Sequence, residues 1–265
     1  MGRILVGFIS LRHISRYFGS FEALHDVSLE VEAGGFVSIV GPSGCGKSTL
    51  LQIIGGLLLP SAGEMRFHDR AMVGPTREII YVFQQYNRSL LPWRTVRRNV
   101  AFGLEALGLP RDKIEAKCAA YIKLVGLEGF EDRFPHQLSG GMQQRVAVAR
   151  ALACEPNVLL MDEPFGSVDA QTRAGLQDLL LQLWQEYRLT VLFVTHDIDE
   201  ALYMAQNVLV LAASPGRIRS AIETELGYPR HQVRTKEMPR YLAHRRHIYS
   251  LIFPEGVEAA EAPSS

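Results

Sequence analysis

Residues 41–48 form the glycine-rich segment with the clearest chemical meaning in this chain. Their sequence, Gly-Pro-Ser-Gly-Cys-Gly-Lys-Ser, fits the phosphate-binding pattern G-x-x-x-x-G-K-[ST] in full. Glycine lets backbone N–H groups crowd around phosphates, Lys47 can reach the β- and γ-phosphates, and the Ser48 hydroxyl can ligate Mg²⁺. A chance match in an ordinary turn is the alternative, but an apolar strand pattern before the segment and a helix pattern after it disfavour that. We therefore expect nucleotide contacts from Gly41, Pro42, Ser43, Gly44, Cys45, Gly46, Lys47, Ser48 and Thr49.

A pair of carboxylates follows a second apolar segment, residues 158–161. Asp162 would hold Mg²⁺ directly or through water, and Glu163 would orient and polarise the attacking water. Two solvated charges at the end of a strand are the alternative. The phosphate loop in the same chain favours the catalytic interpretation.

Residues 138–145, Leu-Ser-Gly-Gly-Met-Gln-Gln-Arg, stand ahead of a helical pattern that runs from about Gln143 to Ala153. Ser139 could cap this helix, and the glycines would leave its N–H groups open to an anion. Physical reasoning on the residues alone does not separate this from an ordinary capped helix.

Short apolar strands alternate with helical patterns, which is typical of a parallel α/β sheet. Segments 36–40, 158–161 and 191–195 are strand candidates, and the last two run directly into polar residues. Ligands of such sheets gather at the carboxyl ends of strands, so the polar residues should meet there. Between the last two strands, a stripe at helical spacing predicts a buried helix face, made of Leu176, Leu179, Leu180, Leu183 and Tyr187.

The regions around this core have a different pattern. The first forty residues look like β-structure, and residues 84–156 are mainly helical by pattern, so we interpret them as a helical insertion. After Gly216 the chain is rich in Arg and His, and residues 255–265 have the small, acidic composition of a disordered tail. The sequence therefore predicts a main domain at 1–215, with its insertion at about 84–156, and a C-terminal extension at 216–265.

Composition and charge argue against several classes of protein. Among 265 residues, 28 Lys and Arg balance 28 Asp and Glu, which disfavours a polyanion-binding surface and a nucleic-acid partner. The three cysteines lack C-x-x-C spacing, which disfavours a disulfide framework or a zinc site. No apolar run reaches the roughly 18 residues that span a bilayer. We expect a soluble chain whose membrane contact comes through a partner.

Taken in order, the phosphate loop, residues 138–145 and the Asp162–Glu163 pair resemble the ATP-binding cassette (ABC) ATPases. Residues 138–145 match the signature sequence of that family without departure. The resemblance implies an α/β P-loop NTPase (RecA-like) parallel-sheet core with an N-terminal antiparallel β-subdomain and an inserted helical subdomain. It implies ATP and Mg²⁺ as cofactors, ATP hydrolysis, and a homodimer, because two such cassettes sandwich two ATP molecules. Residues that would complete the ATP site of the second subunit are Ser139, Gly140, Gly141 and Gln143.

Further site residues are implied by the same resemblance. Gln84 matches the glutamine that senses Mg²⁺ and the γ-phosphate, and His196 matches the switch histidine that contacts the γ-phosphate. Phe18 matches the aromatic residue that stacks on adenine, with Tyr17 as the neighbouring candidate, and Asp169 lies in the loop that crosses the dimer interface. The implied catalytic set is Glu163, His196, Lys47 and Gln84, and the implied metal ligands are Ser48, Gln84 and Asp162.

Within that family, Leu90-Leu91-Pro92-Trp93 and residues 214–218 look like those of importers of nitrate, taurine, sulfonate, bicarbonate and thiamine precursors. The likeness implies that the chain powers import of a small, anionic metabolite through membrane permease subunits, which receive it from an extracytoplasmic solute-binding protein. The chain would then lie peripherally at the cytoplasmic face of the inner membrane. An exposed Trp93 would suit the surface that holds the permease. A local cluster that covers the helical insertion is the alternative interpretation of Trp93.

Two other function classes compete with this one. A non-transport cassette of the DNA-repair or translation type typically carries a long coiled coil or two cassettes in one chain, and neither pattern is present. A small-molecule phosphotransferase would use the same phosphate loop but would not explain residues 138–145.

Overall fold

The structure is a computed structural model, and it describes residues 8–83, 89–166 and 168–253. The chain divides into two units, one made of Met1–Pro75 and Thr190–Ser265 and the other of Thr76–Leu189. Within the described ranges, no helix is both long enough and apolar enough to cross a bilayer.

The first unit contains an antiparallel sheet in the order β2-β1-β4-β5. Its strands are β1 (Ile9–Phe18), β2 (Phe21–Val31), β4 (Ala62–Phe67) and β5 (Arg70–Ala71). Strands β1 and β2 are joined by a two-residue turn in which Gly19 has a φ of 58°. Such short hairpin turns favour glycine, because it adopts positive φ without steric cost. The β-structure predicted for the first forty residues is therefore present.

The same unit contains parallel strands that position the phosphate loop. Strand β3 (Phe36–Val40) pairs in parallel with β8 (Thr190–Val194) on one side and β9 (Asn207–Ala212) on the other. Strand β10 (Arg217–Glu223) pairs with β9 in the antiparallel sense. Every residue of β3 and β8 is buried, as expected for parallel strands covered on both faces.

Three helices of the first unit matter for the site. Helix α1 (Lys47–Ile54) begins where the phosphate loop ends, and α6 (Ile198–Met204) begins shortly after β8. Helix α7 (Pro239–Ile252) is the last described element. Beyond Gly216 the chain thus continues this unit with strand β10 and helix α7.

The second unit contains parallel strands and α-helices. The strands are β6 (Ile79–Val82) and β7 (Val158–Asp162), and the helices are α2 (Val96–Glu105), α3 (Arg111–Leu124), α4 (Gly140–Ala153) and α5 (Ala170–Tyr187). Val82 of β6 lies opposite Met161 of β7. Helices α2, α3 and α4 pack against one another, in agreement with the predicted helical insertion. Helix α4 begins three residues before its predicted start, because Ser139 caps it there.

Helix α5 buries most of its predicted stripe. Leu176, Leu180 and Leu183 are buried, and Leu179 is half-buried. Tyr187 is 43% exposed, so the prediction was wrong at that position. The reason is that Tyr187 is the last residue of the helix, where the packed face ends.

Candidate nucleotide-binding site

The phosphate loop joins strand β3 to helix α1, and two of its glycines are required by close backbone contacts. A Cβ on Gly46, whose φ is 92°, would lie 2.7 Å from Leu24 Cδ2 and 2.8 Å from the carbonyl oxygen of Ala23. A Cβ on Gly41 would lie 2.5 Å from the carbonyl oxygen of Leu211. The loop is therefore held closely between residues of β2 and β9, and larger residues at these two positions would displace it.

The Lys47 ammonium lies against the loop itself. Its Nζ donates to the carbonyl oxygens of Gly41 at 2.8 Å and Pro42 at 2.9 Å. Lysine is rarely buried, yet Lys47 is only 6% exposed. Ser48 is exposed in the first turn of α1. The segment thus places a positive charge, an exposed hydroxyl and a helix N-terminus together, the combination that binds phosphate and its Mg²⁺.

Cys45 lies inside the loop and supports it from the protein interior. Its side chain is buried, and burial raises the pKa of the thiol, although the nearby Lys47 charge opposes this. On the far side of the Cys45 backbone lies Gly216, where an added Cβ would clash with the Cys45 carbonyl oxygen and lie 2.9 Å from that of Ala23. The sequence analysis did not predict Gly216 as a site residue, and only its position in a Ser-Pro-Gly turn could have suggested a close approach.

His196 follows strand β8 at the edge of the sheet where the phosphate loop begins. The backbone N–H of Thr195 donates to the carbonyl oxygen of Ile39 in β3 at 3.2 Å. The buried Thr195 hydroxyl donates to Glu200 Oε2 at 2.7 Å and accepts from the Asp197 N–H at 3.0 Å. His196 is exposed between these two anchored residues. The structure thus brings the phosphate loop and His196 to the same sheet edge, as the strand pattern predicted.

The two candidates for adenine stacking lie at the end of strand β1. Phe18 is 47% exposed, and the guanidinium carbon of Arg16 lies 4.7 Å from its ring centroid. The Tyr17 hydroxyl donates to Glu22 Oε1 at 2.7 Å. The ring of Tyr17 is exposed as well. The geometry is compatible with either ring, and the stacking role of Phe18 stays a prediction.

The predicted carboxylates lie at the end of strand β7 in the second unit. Asp162 Oδ2 accepts a hydrogen bond from the Tyr81 hydroxyl at 3.0 Å. Burial, reinforced by the Asp162 charge, raises the pKa of Tyr81, so that the phenol remains a donor at neutral pH. Glu163 follows with a φ of 44°, in the left-handed region that is costly for any residue other than glycine.

The signature segment forms the exposed start of helix α4. Ser139 caps the helix, as predicted, because its Oγ accepts from the N–H of residue 142 at 3.3 Å. Ser139 and the glycine after it are exposed. A Cβ on Gly141 would collide with the Thr172 side chain, and the Thr172 N–H donates to Asp169 Oδ1 at 3.0 Å. The starts of helices α4 and α5 therefore lie side by side.

Two neighbouring glutamines of α4 make different contacts. Gln143 Nε2 donates to the carbonyl oxygens of Pro135 at 2.9 Å and Leu138 at 3.3 Å, so this amide is used within its own chain. Its predicted role in the ATP site of a second subunit stays a prediction. Gln144 is buried and donates to the carbonyl oxygen of Pro164, which fixes the turn after Glu163. The sequence analysis missed Gln144, because a glutamine in a helix gives no signal of burial.

One predicted site residue cannot be placed. Gln84 lies outside the described residues, as does residue 167 in the loop before Asp169.

Comparison with known proteins agrees with these features. A family model described as ABC transporter matches residues 24–166. An uncharacterized ABC transporter ATP-binding protein from Methanocaldococcus jannaschii is 48% identical over 234 residues, 88% of this chain and 85% of that protein. The aliphatic sulfonates import ATP-binding protein SsuB from Bacillus cereus is 44% identical over 227 residues, 84% of this chain and 88% of that protein.

A solved structure extends the comparison to the fold. A dimeric ATP-binding cassette in a post-hydrolysis state, bound to ADP and Pi, superimposes with a TM-score of 0.72 and 34% identity. The match covers 81% of this chain and 98% of that one. It confirms the predicted P-loop NTPase fold class with its parallel and antiparallel sheets. The chain therefore belongs to the ABC transporter family, as one of its ATP-binding ATPase subunits.

Proposed function

We propose that the chain is the ATP-hydrolysing subunit of a membrane importer and that it works as an ATP-bridged homodimer. The observation that carries the proposal is the geometry of the phosphate loop. Its buried Lys47, the exposed Ser48 and the neighbouring His196 gather at one edge of the parallel strands. A phosphate loop with a histidine beside it can both bind a triphosphate and position its terminal phosphate for hydrolysis.

Each site residue has a proposed role toward the nucleotide. Lys47 binds the β- and γ-phosphates, Glu163 orients and polarises the attacking water, and His196 contacts the γ-phosphate. Mg²⁺, when bound, neutralises charge on the phosphates. Its proposed ligands are the Ser48 hydroxyl, the Asp162 carboxylate and the Gln84 amide oxygen, which are the hard oxygen donors that this ion prefers. Hydrolysis then depends on positioning and charge stabilisation, with no covalent enzyme intermediate.

The signature segment is proposed to act on the second subunit. Ser139, Gly140, Gly141 and Gln143 would complete the partner's ATP site, and Asp169 would lie in the loop that crosses the interface. The exposed start of α4 supports this, because the N-terminus of a helix and its dipole favour an anion. The dimeric state of the related cassette bound to ADP and Pi supports it as well.

The proposed cargo is a small anionic metabolite of the nitrate, sulfonate or taurine type. The 44% identity to an aliphatic sulfonates import ATP-binding protein supports this class. The cargo would arrive on an extracytoplasmic solute-binding protein and pass through permease subunits. The ATPase would lie peripherally at the cytoplasmic face of the inner membrane, where closure of its dimer drives the permease.

The proposed permease contact includes Trp93, which is 70% exposed on a fixed loop. The loop is held by the buried Asn99, whose Oδ1 accepts from the Leu91 N–H at 2.9 Å. Its Nδ2 lies within hydrogen-bond distance of three carbonyl oxygens, those of Leu91 at 3.1 Å, Arg94 at 2.9 Å and Thr95 at 3.1 Å. An exposed tryptophan on a preorganised loop favours a binding role over a local cluster.

A cavity of about 570 Å³ in the second unit is the proposed seat for a permease helix. It lies between the end of β6 and helices α2 and α4, and its lining is mainly apolar, including Phe83, Phe102 and Cys154. Arg150 spans one side and donates to the Ser89 carbonyl oxygen at 2.6 Å. An apolar groove with one satisfied charge suits an amphipathic helix.

The division of the chain also stays a proposal. We assign residues 1–215 to the ATPase domain, with the helical insertion at about 84–156, and residues 216–265 to a C-terminal extension. The competing function is a non-transport ABC ATPase of the DNA-repair or translation type, which would not bind a permease.

Two linked experiments test the proposal. Glu163→Gln, which should retain ATP, is expected to double its mass in light scattering when ATP and Mg²⁺ are added, whereas Glu163→Gln with Ser139→Arg should stay monomeric. Co-expression with the permease encoded nearest to this gene should give a complex. Its proteoliposomes, supplied with the neighbouring solute-binding protein, should take up taurine or an alkanesulfonate only when ATP is present on the side of the membrane that the ATPase subunit faces. ATP hydrolysis without dimerisation, or a cassette that no neighbouring permease retains, would contradict the proposal.

A further inference from the structure

Helix α6 directly follows His196 and is too short to hold its own position. It has seven residues, Ile198–Met204, and isolated helices of this length are unstable in water. The N-cap residue Asp197 joins it to the histidine, because the Asp197 carboxylate accepts from the N–H groups of Asp199 at 2.8 Å and Glu200 at 3.1 Å. The position of His196 is therefore set by Thr195 of the sheet on one side and by Asp197, the N-cap of α6, on the other.

The first turn of α6 is held by helix α7. The hydroxyl of Tyr241 lies 3.0 Å from both the carbonyl oxygen and Oδ1 of Asp199. The Arg245 guanidinium lies 3.2 Å from Asp199 Oδ2. Tyr241 is buried, whereas Arg245 is half exposed. These contacts reach a residue only three positions after His196.

The last turn of α6 is held by the segment that leads to α7. The buried Arg230 guanidinium and the Tyr228 hydroxyl donate to the carbonyl groups at the end of the helix, where a positive charge also complements the helix dipole. The acceptors of Arg230 are Leu202 at 2.5 Å, Tyr203 at 2.7 Å and Ala205 at 2.8 Å, and the acceptor of Tyr228 is Met204 at 3.0 Å.

Helix α7 is in turn anchored to the sheet. His244 Nε2 lies 3.1 Å from the carbonyl oxygen of Thr224 after β10, and Arg219 of β10 donates to the carbonyl oxygen of Leu251 at 2.7 Å. The segment 224–252 thus contacts both ends of α6, and its helix α7 is itself hydrogen-bonded to β10 and to the residue that follows β10.

We propose that the segment 224–252 positions His196 for ATP hydrolysis, with Tyr241, Arg245 and Arg230 as positioning residues that act through α6. The inference rests on the proposed contact of His196 with the γ-phosphate. His196 is exposed and directly precedes the N-cap of α6, so a shift of α6 would move the backbone next to the histidine. A misplacement of about 1 Å in a reacting group can lower a rate by roughly 10²-fold.

The test compares Tyr241→Phe/Arg245→Gln with Arg246→Gln, a matched control on the same helix whose side chain is exposed. In the full chain, kcat for ATP hydrolysis should fall by about 10- to 10²-fold in the double variant. KM for ATP should stay within about twofold, because the phosphate loop is untouched. The control should match the wild type, and Arg245→Lys should recover most of the rate that Arg245→Gln loses.

A double-mutant comparison separates positioning from a general loss of structure. In a His196→Ala background, Tyr241→Phe/Arg245→Gln should lower kcat no further, since no histidine remains to be positioned. A further loss of equal size there would overturn the inference. If kcat is normal in Tyr241→Phe/Arg245→Gln but impaired in His196→Ala, the positioning inference is overturned and the proposed role of His196 stands. Normal kcat in His196→Ala would refute the proposed role of His196 as well. If the double variant does not fold, Arg245→Gln alone, which removes only a half-exposed ion pair, gives the same comparison.

Discussion

Gly216 lies directly against the carbonyl oxygen of Cys45, so that the turn before strand β10 supports the phosphate loop from behind. The same glycine exchanges backbone hydrogen bonds with strand β2, since its N–H donates to Ala23 at 3.1 Å and its carbonyl oxygen accepts from His25 at 2.9 Å. The loop is thus bounded by strand β2 and by the end of β9 with the turn that follows it, two segments that are far apart in the sequence.

This contact predicts that Gly216→Ala weakens ATP binding. The added methyl group has no room, and overpacking of this kind costs about 1–3 kcal/mol, part of which should appear as a displaced loop. Binding of a fluorescent ATP analogue and the thermal midpoint would measure it. Gly227→Ala is the matched control, because a Cβ there meets nothing within 4 Å. Wild-type affinity in Gly216→Ala would show that the loop does not depend on this support.

Glu163→Gln should bind ATP normally and hydrolyse it roughly 10²–10⁴-fold more slowly, because the amide cannot polarise water. Phosphate release under saturating ATP is the measurement. Glu186→Gln, an exposed change in helix α5, should leave turnover unchanged. Near-normal hydrolysis in Glu163→Gln would remove Glu163 from the catalytic role.

Alkylation of Cys45 should block ATP hydrolysis, and the pH dependence should follow its pKa. Because burial raises that pKa above the ordinary thiol value, the reactive thiolate is scarce at pH 7 and increases as the pH rises. Cys118→Ala/Cys154→Ala leaves Cys45 as the single thiol. Mass spectrometry and phosphate release should then give modification and inactivation in parallel, both slowed by bound ATP. An unchanged rate of ATP hydrolysis with the Cys45 thiol fully modified would contradict this prediction.

Trp93→Ala should abolish co-purification with the permease while the free subunit keeps its ATPase rate and thermal midpoint. The expectation rests on the 70% exposure of the ring, which leaves little packing to lose. Phe130→Ala, also in the second unit and partly exposed, is the control. A lowered midpoint with permease binding intact would favour the local-cluster interpretation instead.

Asn99→Ala should lower the free energy of unfolding by about 1–3 kcal/mol, because it leaves buried backbone groups of the Trp93 loop without partners. Permease binding should weaken with it. Arg98→Ala, an exposed change in the same helix turn, should have little effect on either quantity. Chemical denaturation and pull-down assays would show whether the two effects occur together.

The sequence predicts those parts of the site that short motifs encode. The phosphate loop and the carboxylates at the end of β7 need only local spacing and an apolar strand, and Ser139 needs only the helix that follows it. All lie where that pattern places them. The parallel strands were predictable for the same reason, since β3, β7 and β8 are each apolar at four of their five residues.

Contacts between distant segments were not predictable. Gly216, Gln144 and Arg230 act through neighbours that only the folded chain provides, and their residue types are common in turns and on helix surfaces. The segment Leu90-Leu91-Pro92-Trp93 shows the same limit, because an apolar run does not reveal which side chain faces inward. Leu90 is 1% exposed and belongs to the core, whereas Trp93 points outward.

The left-handed backbone conformation of Glu163 lowers the stability of the fold at a residue that is proposed to be needed for activity. With a φ of 44°, the residue holds a conformation that costs about 1–2 kcal/mol for an L-amino acid and almost nothing for glycine. Glu163→Gly would therefore relieve strain in the turn while removing the carboxylate. A chain that keeps Glu163 therefore keeps a strained turn for the sake of its carboxylate, an exchange of stability for activity at a single residue.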